Sequence, residues 1–397
     1  MLKNYFTIAI RHLQKNKLYA LVNIFGLAIG IGSCLLIGIY ISHELSFDRF
    51  HQHADRIARV TWEYNFGDAE NKTATTGTKV GPEFKRRFPE VQAYSRLLKY
   101  GRVVGYGTQL YEEENFLYAD SAFFNMFTFP LLKGDPATVL DAPDKLVITQ
   151  TAAKKYFGTD DPIGKTVKVG GTKDFLITGL AQDAPANSQI QFDFVGSFTS
   201  LTASKSEKWS EANYITYLLL QNEKNLPGLQ RKINTFIAKA GKEEMQLQGN
   251  QFMAYHLEPL TNVHLHSQLE GFEPNNNIVY IYILAVVAVL ILLIACVNYT
   301  NLSTAQSAKR SGEISMRKVL GAGRAQVFSQ FISESFLLTL VAVVLALGLS
   351  AFSLPYFNQL SGKNLSAAVF FSPAVLFSLV AGAVIIALAA GAYPALV

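Results

Sequence analysis

Four long apolar stretches stand out in the pattern of hydrophobic and polar residues along this 397-residue chain. A bilayer core about 30 Å thick needs roughly 20 apolar residues in a helix that crosses it. The stretches that reach this length are Leu18–Ser42, Ile278–Val297, Phe336–Leu354 and Ala374–Ala392. The pattern therefore predicts an α-helical transmembrane part with four spans. We place these spans at residues 18–42, 278–300, 332–354 and 370–393.

The region between the first two spans, residues 43–277, has the pattern of a globular α/β domain. A strand, helix, strand rhythm occurs twice within it. The first set is Ile57–Tyr64, Lys79–Phe88 and Val91–Leu98, and the second is Tyr214–Leu220, Leu229–Ala240 and Phe252–Leu257. Between the two sets, short strand patterns alternate with Gly, Pro and Asp turns. We expect two lobes, one made of residues 43–101 and 200–277 and a second, residues 102–199, inserted in it.

The first 17 residues predict a helix that lies on the membrane surface. Apolar residues recur at helical spacing, and basic residues occupy the opposite face. The apolar set is Leu2, Phe6, Ala9 and Leu13, and the basic set is Lys3, Arg11, Lys15 and Lys17. The apolar run that follows is longer than the core of a signal peptide, so we expect an uncleaved anchor.

Composition and charge assign each segment to a side of the membrane. Half of the residues are hydrophobic and only 16% are charged, which is unusual for a soluble domain. Four Lys/Arg precede the first span, five lie between the second and third, and Lys363 alone lies between the third and fourth. Because cytoplasmic loops carry the excess of Lys and Arg, the N-terminus and residues 301–331 should be cytoplasmic. Residues 43–277 and the short loop 355–369 should then lie outside the inner membrane.

The net charge of the chain follows from this topology. Residues 43–277 hold 25 Lys/Arg against 28 Asp/Glu, while the rest of the chain carries the positive excess. The overall charge of +5 therefore gives no reason to expect binding to nucleic acid.

The segment between the second and third spans is basic and helical in pattern. From Lys309 to Gln330 it reads K-R-S-G-E-I-S-M-R-K-V-L-G-A-G-R-A-Q-V-F-S-Q. Glu313 and Arg317 are four residues apart, so they share a helix face and can form an ion pair. The basic residues either bind an acidic groove on a cytoplasmic partner or only fix the topology and contact lipid head groups.

One motif resembles a nucleotide site but does not fit it. The run from Gly158 to Thr166 ends in G-K-T, as a phosphate-binding loop does. It has five residues between its glycines, where that loop has four, and one of them is proline, which lacks an N–H. We expect a turn here that leads into a strand at Thr166–Val169.

Two histidine pairs have the spacing of metal ligands. His51 and His53, and likewise His264 and His266, are two residues apart near the two ends of the outer region. Zinc takes three or four converging ligands, and no accompanying motif supplies the others. We predict no metal site, no cofactor and no catalytic residues in this chain.

The spans themselves indicate packing more than chemistry. Gly26 and Gly30 form a G-x-x-x-G motif, which allows close approach of a second helix, although glycine is also common in membrane helices. Cys34 and Cys296 both fall in apolar spans, so the outer region has no cysteine for a disulfide. No span has an ionisable residue at its centre, which argues against an ion-coupled carrier.

The order of a basic amphipathic start, one span, a large outer domain and three more spans resembles the MacB/FtsX-type permeases of ABC transporters. The loop R-S-G-E-I-S-M-R-K-V-L-G-A-G-R-A-Q-V-F is similar to the coupling segment of that family, in which an acid, a basic pair and a Gly-Ala turn recur. Three outer stretches are similar to its periplasmic core domain: F-F-N-M-F-T-F-P-L-L-K-G-D-P, Y-F-G-T-D-D-P-I-G-K-T and D-A-P-A-N-S. Together these stretches span nearly the whole chain.

The resemblance implies a permease subunit with no ATPase of its own, served by a separate nucleotide-binding subunit docked on the coupling segment. The implied coupling residues are Arg310, Glu313, Arg317, Lys318, Gly321 and Arg324. Glu334 matches a family position at the inner edge of the third span. ATP-driven closure of the partner would tilt the spans and change the shape of a periplasmic domain with a porter-like lobe. The implied cargo is a peptide, lipoprotein or toxic compound moved out of the periplasm.

Other interpretations remain open at this point. The same motor could activate periplasmic cell-wall hydrolases, or the chain could be a membrane-anchored sensor or receptor. The resemblance also implies a homodimer or a second permease half, and a periplasmic adaptor or outer-membrane component as further partners. Because Tyr393–Val397 is followed by no basic tail and the chain shows no internal repeat, we expect a shortened chain, such as the first half of a duplicated permease.

Overall fold

The computed structural model describes residues 17–396, apart from residue 68 and residues 310, 311, 313–315, 317, 318 and 320–322. The chain forms two compact units. We call Glu44–Ile278 the outer unit, and the residues up to His43 and from Val279 onward the helical unit. The predicted surface helix of residues 1–17 lies outside the described residues, except for Lys17.

The helical unit is built from long apolar helices at the predicted places. These are α1 Lys17–Leu45, α7 Ile278–Lys309, α8 Arg324–Ser361 and α9 Pro373–Leu396. Three described segments are long and apolar enough to cross a membrane: Lys17–Leu45, Ile278–Lys309 and Phe328–Ser361. In α9 the described apolar stretch, Pro373–Ala389, is shorter than that. The structure therefore supports three candidate spans, and the fourth stays a prediction.

The outer unit is an α/β domain built on one mixed sheet. Its strands are β1 Ile57–Asn65, β2 Glu70–Thr73, β3 Val91–Lys99, β4 Arg102–Tyr106, β5 Gln109–Glu113, β6 Phe116–Ala119, β7 Leu131–Lys133, β8 Lys145–Thr149, β9 Thr166–Val169, β10 Lys173–Ala181, β11 Phe194–Ser197, β12 Ile215–Leu220 and β13 Phe252–Pro259. Its α-helices are α2 Val80–Arg87, α3 Phe123–Met126, α4 Gln150–Phe157, α5 Leu226–Glu244 and α6 Leu260–His266. All seven elements that the sequence placed in this region, six in the two strand, helix, strand sets and the strand at Thr166, are confirmed within a few residues.

The four strands of the two sets recognised in the sequence lie next to one another at one end of the sheet. The order of strands in the sheet runs β13-β1-β12-β3-β6-β11-β8-β10-β9-β4-β5, with β2 paired to β1 and β7 paired to β10. The first four strands come from residues 43–101 and 200–277, and the remaining seven from residues 102–199. The antiparallel pairing of β3 with β6, where Leu97 faces Ala119, joins the two groups into one sheet.

The hydrophobic core is divided in the same way. One cluster, which includes Phe84, Leu218 and Ile233, draws only on residues 43–101 and 200–277. In a second, which includes Phe175 and Phe194, all the buried members lie in residues 102–199. A third cluster contains residues from both groups. Each fully buried aromatic or aliphatic side chain contributes about 1.5–3 kcal/mol, so each end of the sheet has its own stabilising core.

Helix α5 shows how the sequence pattern produces this packing. Its buried residues Leu229, Ile233 and Ile237 recur every four positions, so they form one apolar stripe, and the helix packs against β13. Gln230 from the same helix covers the open edge of β13. Its Nε2 donates to Tyr255 O at 2.7 Å, and its Oε1 accepts from Leu257 N at 2.7 Å. The side-chain amide thus replaces a neighbouring strand at this edge, which protects the sheet from pairing with another chain.

The segment that resembles a phosphate loop is a turn, as predicted. Gly158 ends α4 with a φ of 64°. Lys165 Nζ pairs with Asp160 Oδ2 at 3.1 Å, so this lysine is used in a local ion pair. Strand β9 begins directly afterwards at Thr166.

Candidate functional site

Most of the predicted coupling segment lies outside the described residues. This applies to Arg310, Glu313, Arg317, Lys318 and Gly321. The structure places Arg324 at the first residue of α8. The role of these residues therefore remains a sequence-based prediction.

Glu334 lies one turn beyond Gln330 on the same helix. Gln330 Nε2 donates to Glu334 Oε1 at 3.0 Å. Gln330 is buried and Glu334 is half-buried, and the buried Ser335 and Thr339 follow along α8. The start of α8 thus presents a polar group of side chains inside the helical unit.

The glycines of α1 lie where this helix approaches its neighbours. A Cβ on Gly30 would lie 2.7 Å from Ala295 Cβ of α7, closer than two carbon atoms can pack. Gly26 is less tight, since its nearest neighbour would be Asn298 Nδ2 at 3.6 Å. On the side of α8, Ser350 Oγ donates to Gly32 O at 3.2 Å. Small residues therefore let α1 pack closely against α7 and α8.

We predict that Gly30→Leu destabilises the helical unit, whereas Gly38→Leu does not. Leucine at position 30 would overlap Ala295, and overpacking of this kind costs about 1–3 kcal/mol. A Cβ on Gly38 meets nothing within 4 Å, so the same change there should be tolerated. Gel filtration in detergent after a series of heating steps measures the effect. Equal thermal loss of the two variants would contradict the close approach at Gly30.

A chain of buried and half-buried polar side chains joins the first and last segments of the outer unit. We call Glu44, Gln189, His264 and Asn276 the latch. Glu44 Oε2 accepts from His264 Nε2 at 2.8 Å and from Asn276 Nδ2 at 2.7 Å. Gln189 Nε2 lies 2.9 Å from His264 Nδ1. Because Nε2 donates to a carboxylate, Nδ1 must be the acceptor of the Gln189 N–H, which fixes the ring tautomer.

The latch is well buried and held in place by its surroundings. Glu44, Gln189 and His264 are each at most 2% exposed. The Phe47 ring stacks on the His264 ring with centroids 3.5 Å apart and planes at 7°. Gln189 Nε2 also donates to Asn275 Oδ1 at 3.1 Å. Buried polar groups are costly unless they are bonded, so these bonds hold the side chains in one arrangement.

A second buried polar group, the Arg59 cluster, adjoins the latch. We define it as Arg59, Glu258 and Ser267. Arg59 is fully buried on β1, and its Nη2 donates to Glu258 Oε2 at 2.7 Å and to Ser267 Oγ at 2.8 Å. A Cβ on Gly271 would lie 3.2 Å from both Arg59 Nη1 and Gln189 Oε1. Glycine at position 271 therefore allows the backbone to pass between the Arg59 cluster and the latch.

Asp48 and His51 form a third buried group in the segment that follows α1. Asp48 Oδ1 accepts from Ser188 Oγ at 3.0 Å and from Gln189 N at 3.1 Å. His51 Nδ1 accepts from Thr128 N at 3.0 Å, and its Nε2 lies 3.8 Å from Asp48 Oδ1. Burial raises the pKa of the Asp48 carboxyl to about 7, although the two donors oppose this. Burial also lowers the pKa of the His51 imidazole to about 3.

These two pKa shifts make opposite contributions to stability below neutral pH. The raised pKa of Asp48 stabilises the fold fully below its ordinary value of 3.8, and this stabilisation is lost as the pH rises towards 7. The lowered pKa of His51 stabilises the fold above 6.5, and this stabilisation is lost as the pH falls towards 3. Between about pH 4 and 6.5 the two contributions therefore offset each other.

We predict that Asp48→Asn removes this balance. Relative to the wild type, the free energy of unfolding of the variant should fall as the pH drops from about 7 to about 4, because only the His51 contribution remains. The loss is at most about 1.4 kcal/mol for each unit by which the His51 pKa is shifted. Urea unfolding followed by tryptophan fluorescence measures this in the outer unit alone, since both tryptophans, Trp62 and Trp209, lie there. Asp55→Asn, at an exposed carboxylate of the same segment, is the control. Parallel pH curves for Asp48→Asn and the wild type would contradict the assignment.

Parts of these three groups carry a signal in the sequence, but their contacts appear only in the fold. His51 and His264 have the spacing of metal ligands in the sequence, but each uses its Nδ1 in a buried hydrogen bond. Among the described residues, no three His, Cys, Asp or Glu side chains converge to hold a metal ion. The D-A-P-A-N-S run ends at Ser188, which binds Asp48, and its Asn187 Nδ2 donates to Ser46 O at 3.1 Å. The D-A-P-A-N-S motif is the sequence signal that points to this buried polar region, because its polar residues directly precede Gln189.

Comparison with known proteins assigns the family. A family model for the MacB-like periplasmic core domain matches residues 20–236, which is more than half of the chain. The model for the FtsX-like permease C-terminal region matches residues 285–397. The chain belongs to the MacB/FtsX-type permeases of ABC transporters. It is thus a membrane protein with an extracytoplasmic domain, which is the outer unit.

Individual relatives are distant. The chain is 22% identical over 205 residues to the macrolide export ATP-binding/permease protein MacB of Bdellovibrio bacteriovorus. It is 24% identical over 203 residues to the uncharacterized ABC transporter permease YknZ of Bacillus subtilis. Each match covers 51% of this chain, but only 30% of MacB and 47% of YknZ, so the chain spans less than half the length of both relatives. A solved domain from Porphyromonas gingivalis, described as part of a permease protein, is 24% identical and covers 53% of this chain and 91% of that domain, with a TM-score of 0.46.

Proposed function

We propose that this permease couples ATP hydrolysis in a separate nucleotide-binding subunit to a change of shape in its extracytoplasmic domain. The observation that carries the proposal is the family membership of both parts of the chain, combined with a basic segment between two apolar helices. In a membrane protein such a segment should lie in the cytoplasm, where ATP is available. The proposed docking site is the segment from Arg310 to Arg324, with Glu334 bracing the start of α8.

The proposed topology has four spans, an N-terminus in the cytoplasm and the outer unit on the periplasmic side of the inner membrane. Three helices of spanning length and the distribution of Lys and Arg support it. We also infer that the outer unit acts as two lobes, residues 43–101 with 200–277 and residues 102–199. The division of the strand order and of two hydrophobic clusters along the same boundaries supports this arrangement.

The proposed task is export or extrusion of a peptide, lipoprotein or toxic compound from the periplasm. The permease would act as a homodimer or with a second permease half, and the ATP would be bound by the partner subunit alone. One curated relative is a macrolide export protein, which is consistent with a transport task. Activation of a periplasmic hydrolase would use the same ATPase partner and differ only in the outer partner.

Affinity purification of the full chain from its native membranes tests this proposal. The expected result is stoichiometric recovery of an ABC-type ATPase, with ATP hydrolysis in the purified complex. A sensor or receptor would instead bring down a kinase or another signalling protein. Recovery of a kinase with no ATPase would overturn the proposed function.

A further inference from the structure

The latch bonds the first and last chain segments of the outer unit directly to each other through side chains. Glu44 lies in the last turn of α1, which runs unbroken from Lys17 to Leu45. Asn276 is two residues before α7 begins at Ile278. Their side chains meet at 2.7 Å on Glu44 Oε2. Separation of the end of α1 from the start of α7 would therefore stretch or break this bond.

The same carboxylate is bonded onward into the inserted part of the sheet. His264 receives the Gln189 N–H and donates its own N–H to Glu44, so Glu44 and Gln189 are joined through one imidazole ring. Gln189 lies between β10 and β11, both of which belong to residues 102–199. Its backbone N–H also binds Asp48, four residues after Glu44. This loop is thus joined to the last turn of α1 through His264, and to the segment that follows α1 directly, through bonds of Asn187, Ser188 and Gln189 with Ser46 and Asp48.

The geometry of the latch suits the transfer of small displacements. Its three innermost members are buried, the imidazole has a single usable tautomer, and Phe47 stacks on the ring. Buried networks of this kind hold discrete arrangements and do not deform gradually. An exposed ion pair could not act in this way, because water replaces its bonds at little cost.

We propose that the latch is the positioning element through which movement of α1 and α7 reaches residues 102–199. This inference rests on the proposed function, because it supplies the route from the ATPase-driven helices to the outer unit. Gln189, His264 and Asn276 act through Glu44 and have no contact with cargo or nucleotide in this scheme.

Hydrogen exchange with mass spectrometry, carried out on the permease in complex with its co-purified ATPase, tests the latch. The probe is a non-hydrolysable ATP analogue, and the readout is the change in exchange of peptides from residues 102–199. His264→Phe is the main variant, since phenylalanine can keep the stacking on Phe47 but removes both hydrogen bonds. His256→Phe is the matched control, because it also removes a contact between a histidine and a glutamate, that of His256 Nε2 with Glu63 Oε2, on the neighbouring strands β13 and β1.

In the wild type and in His256→Phe, the analogue should change exchange in residues 102–199. In His264→Phe the change should fall to less than half of the wild-type change, while ATPase binding and the tryptophan emission of the folded outer unit persist. A full response in His264→Phe would overturn the latch. If that variant loses protection throughout the outer unit, Asn276→Ala, which removes a single half-buried donor, decides the question by the same criterion. Failure of the wild type to bind any ATPase would overturn the proposed function instead.

Discussion

Replacing Arg59 by methionine should lower the free energy of unfolding of the outer unit by about 3 kcal/mol. The guanidinium is fully buried, and it bonds Glu258, Ser267 and the carbonyl of Leu269. Methionine fills much of the same volume but leaves these acceptors without their donor. Breaking a buried pair by removing one partner costs about 3–5 kcal/mol, and the lower end applies because the Glu258 side chain is 26% exposed.

The matched control is Arg86→Met in the same unit. Arg86 pairs with two carboxylates, those of Glu83 and Glu207, each at 2.7 Å, whereas Arg59 pairs with one, that of Glu258. Its side chain is 56% exposed, and surface pairs contribute only about 0–1 kcal/mol. Urea unfolding followed by tryptophan fluorescence should therefore separate the two variants clearly. Similar losses in both would mean that burial of Arg59 does not matter to the fold.

The elements of this protein were largely predictable because local pattern determines them. Apolar runs long enough to cross a bilayer became helices, and alternating runs such as Ile57–Tyr64 became strands, since burial of one face selects the period of the pattern. The two strand, helix, strand sets indicate that β1, β3, β12 and β13 share a lobe, but the order β13-β1-β12-β3 in which they pair is visible only in the fold. Strand ends differ by a residue or two because the last residues of each strand have weaker side-chain preferences.

The latch could not be predicted, because its bonds connect residues far apart in the chain. Glu44 and His264 are separated by 220 positions, and a single sequence gives no measure of such a contact. Glu44 reads as an ordinary charge that ends an apolar span, and its complete burial is visible only in the fold. The spacing of His264 and His266 is compatible with metal ligands, because spacing along the chain does not show which groups the imidazole ring will contact. Asp48 likewise looks like an ordinary acid in the sequence, because the residues that bond its carboxyl, Ser188 and Gln189, lie far from it in the chain.

The coupling segment is the reverse case, in which sequence carries the whole argument. The acid and basic pair at Glu313, Arg317 and Lys318 lie within the FtsX-like region, and their role in coupling is what the resemblance implies. We predict that the double charge reversal Arg317→Glu with Lys318→Glu abolishes stable binding of the ATPase subunit. If the ATPase presents an acidic groove here, as we propose, two positive charges would become two negative ones, and like charges placed together at an interface cost several kcal/mol. That is at least a 100-fold loss of affinity.

Lys154→Glu with Lys224→Glu is the matched control for this reversal. Both lysines are exposed in the outer unit, so the double change alters the net charge of the chain equally on the side predicted to face away from the ATPase. It should bind the ATPase as the wild type does. This comparison separates a local effect on docking from a general effect of charge on membrane insertion or solubility.

We propose that this permease receives its energy from a separate ATPase through the segment between α7 and α8. The most direct measurement is the dissociation constant between the co-purified ATPase and the full chain in nanodiscs, for the wild type and both double variants. We predict tight, equal binding for the wild type and for Lys154→Glu with Lys224→Glu, and no detectable binding for Arg317→Glu with Lys318→Glu. Undiminished binding of the ATPase to that last variant would contradict it.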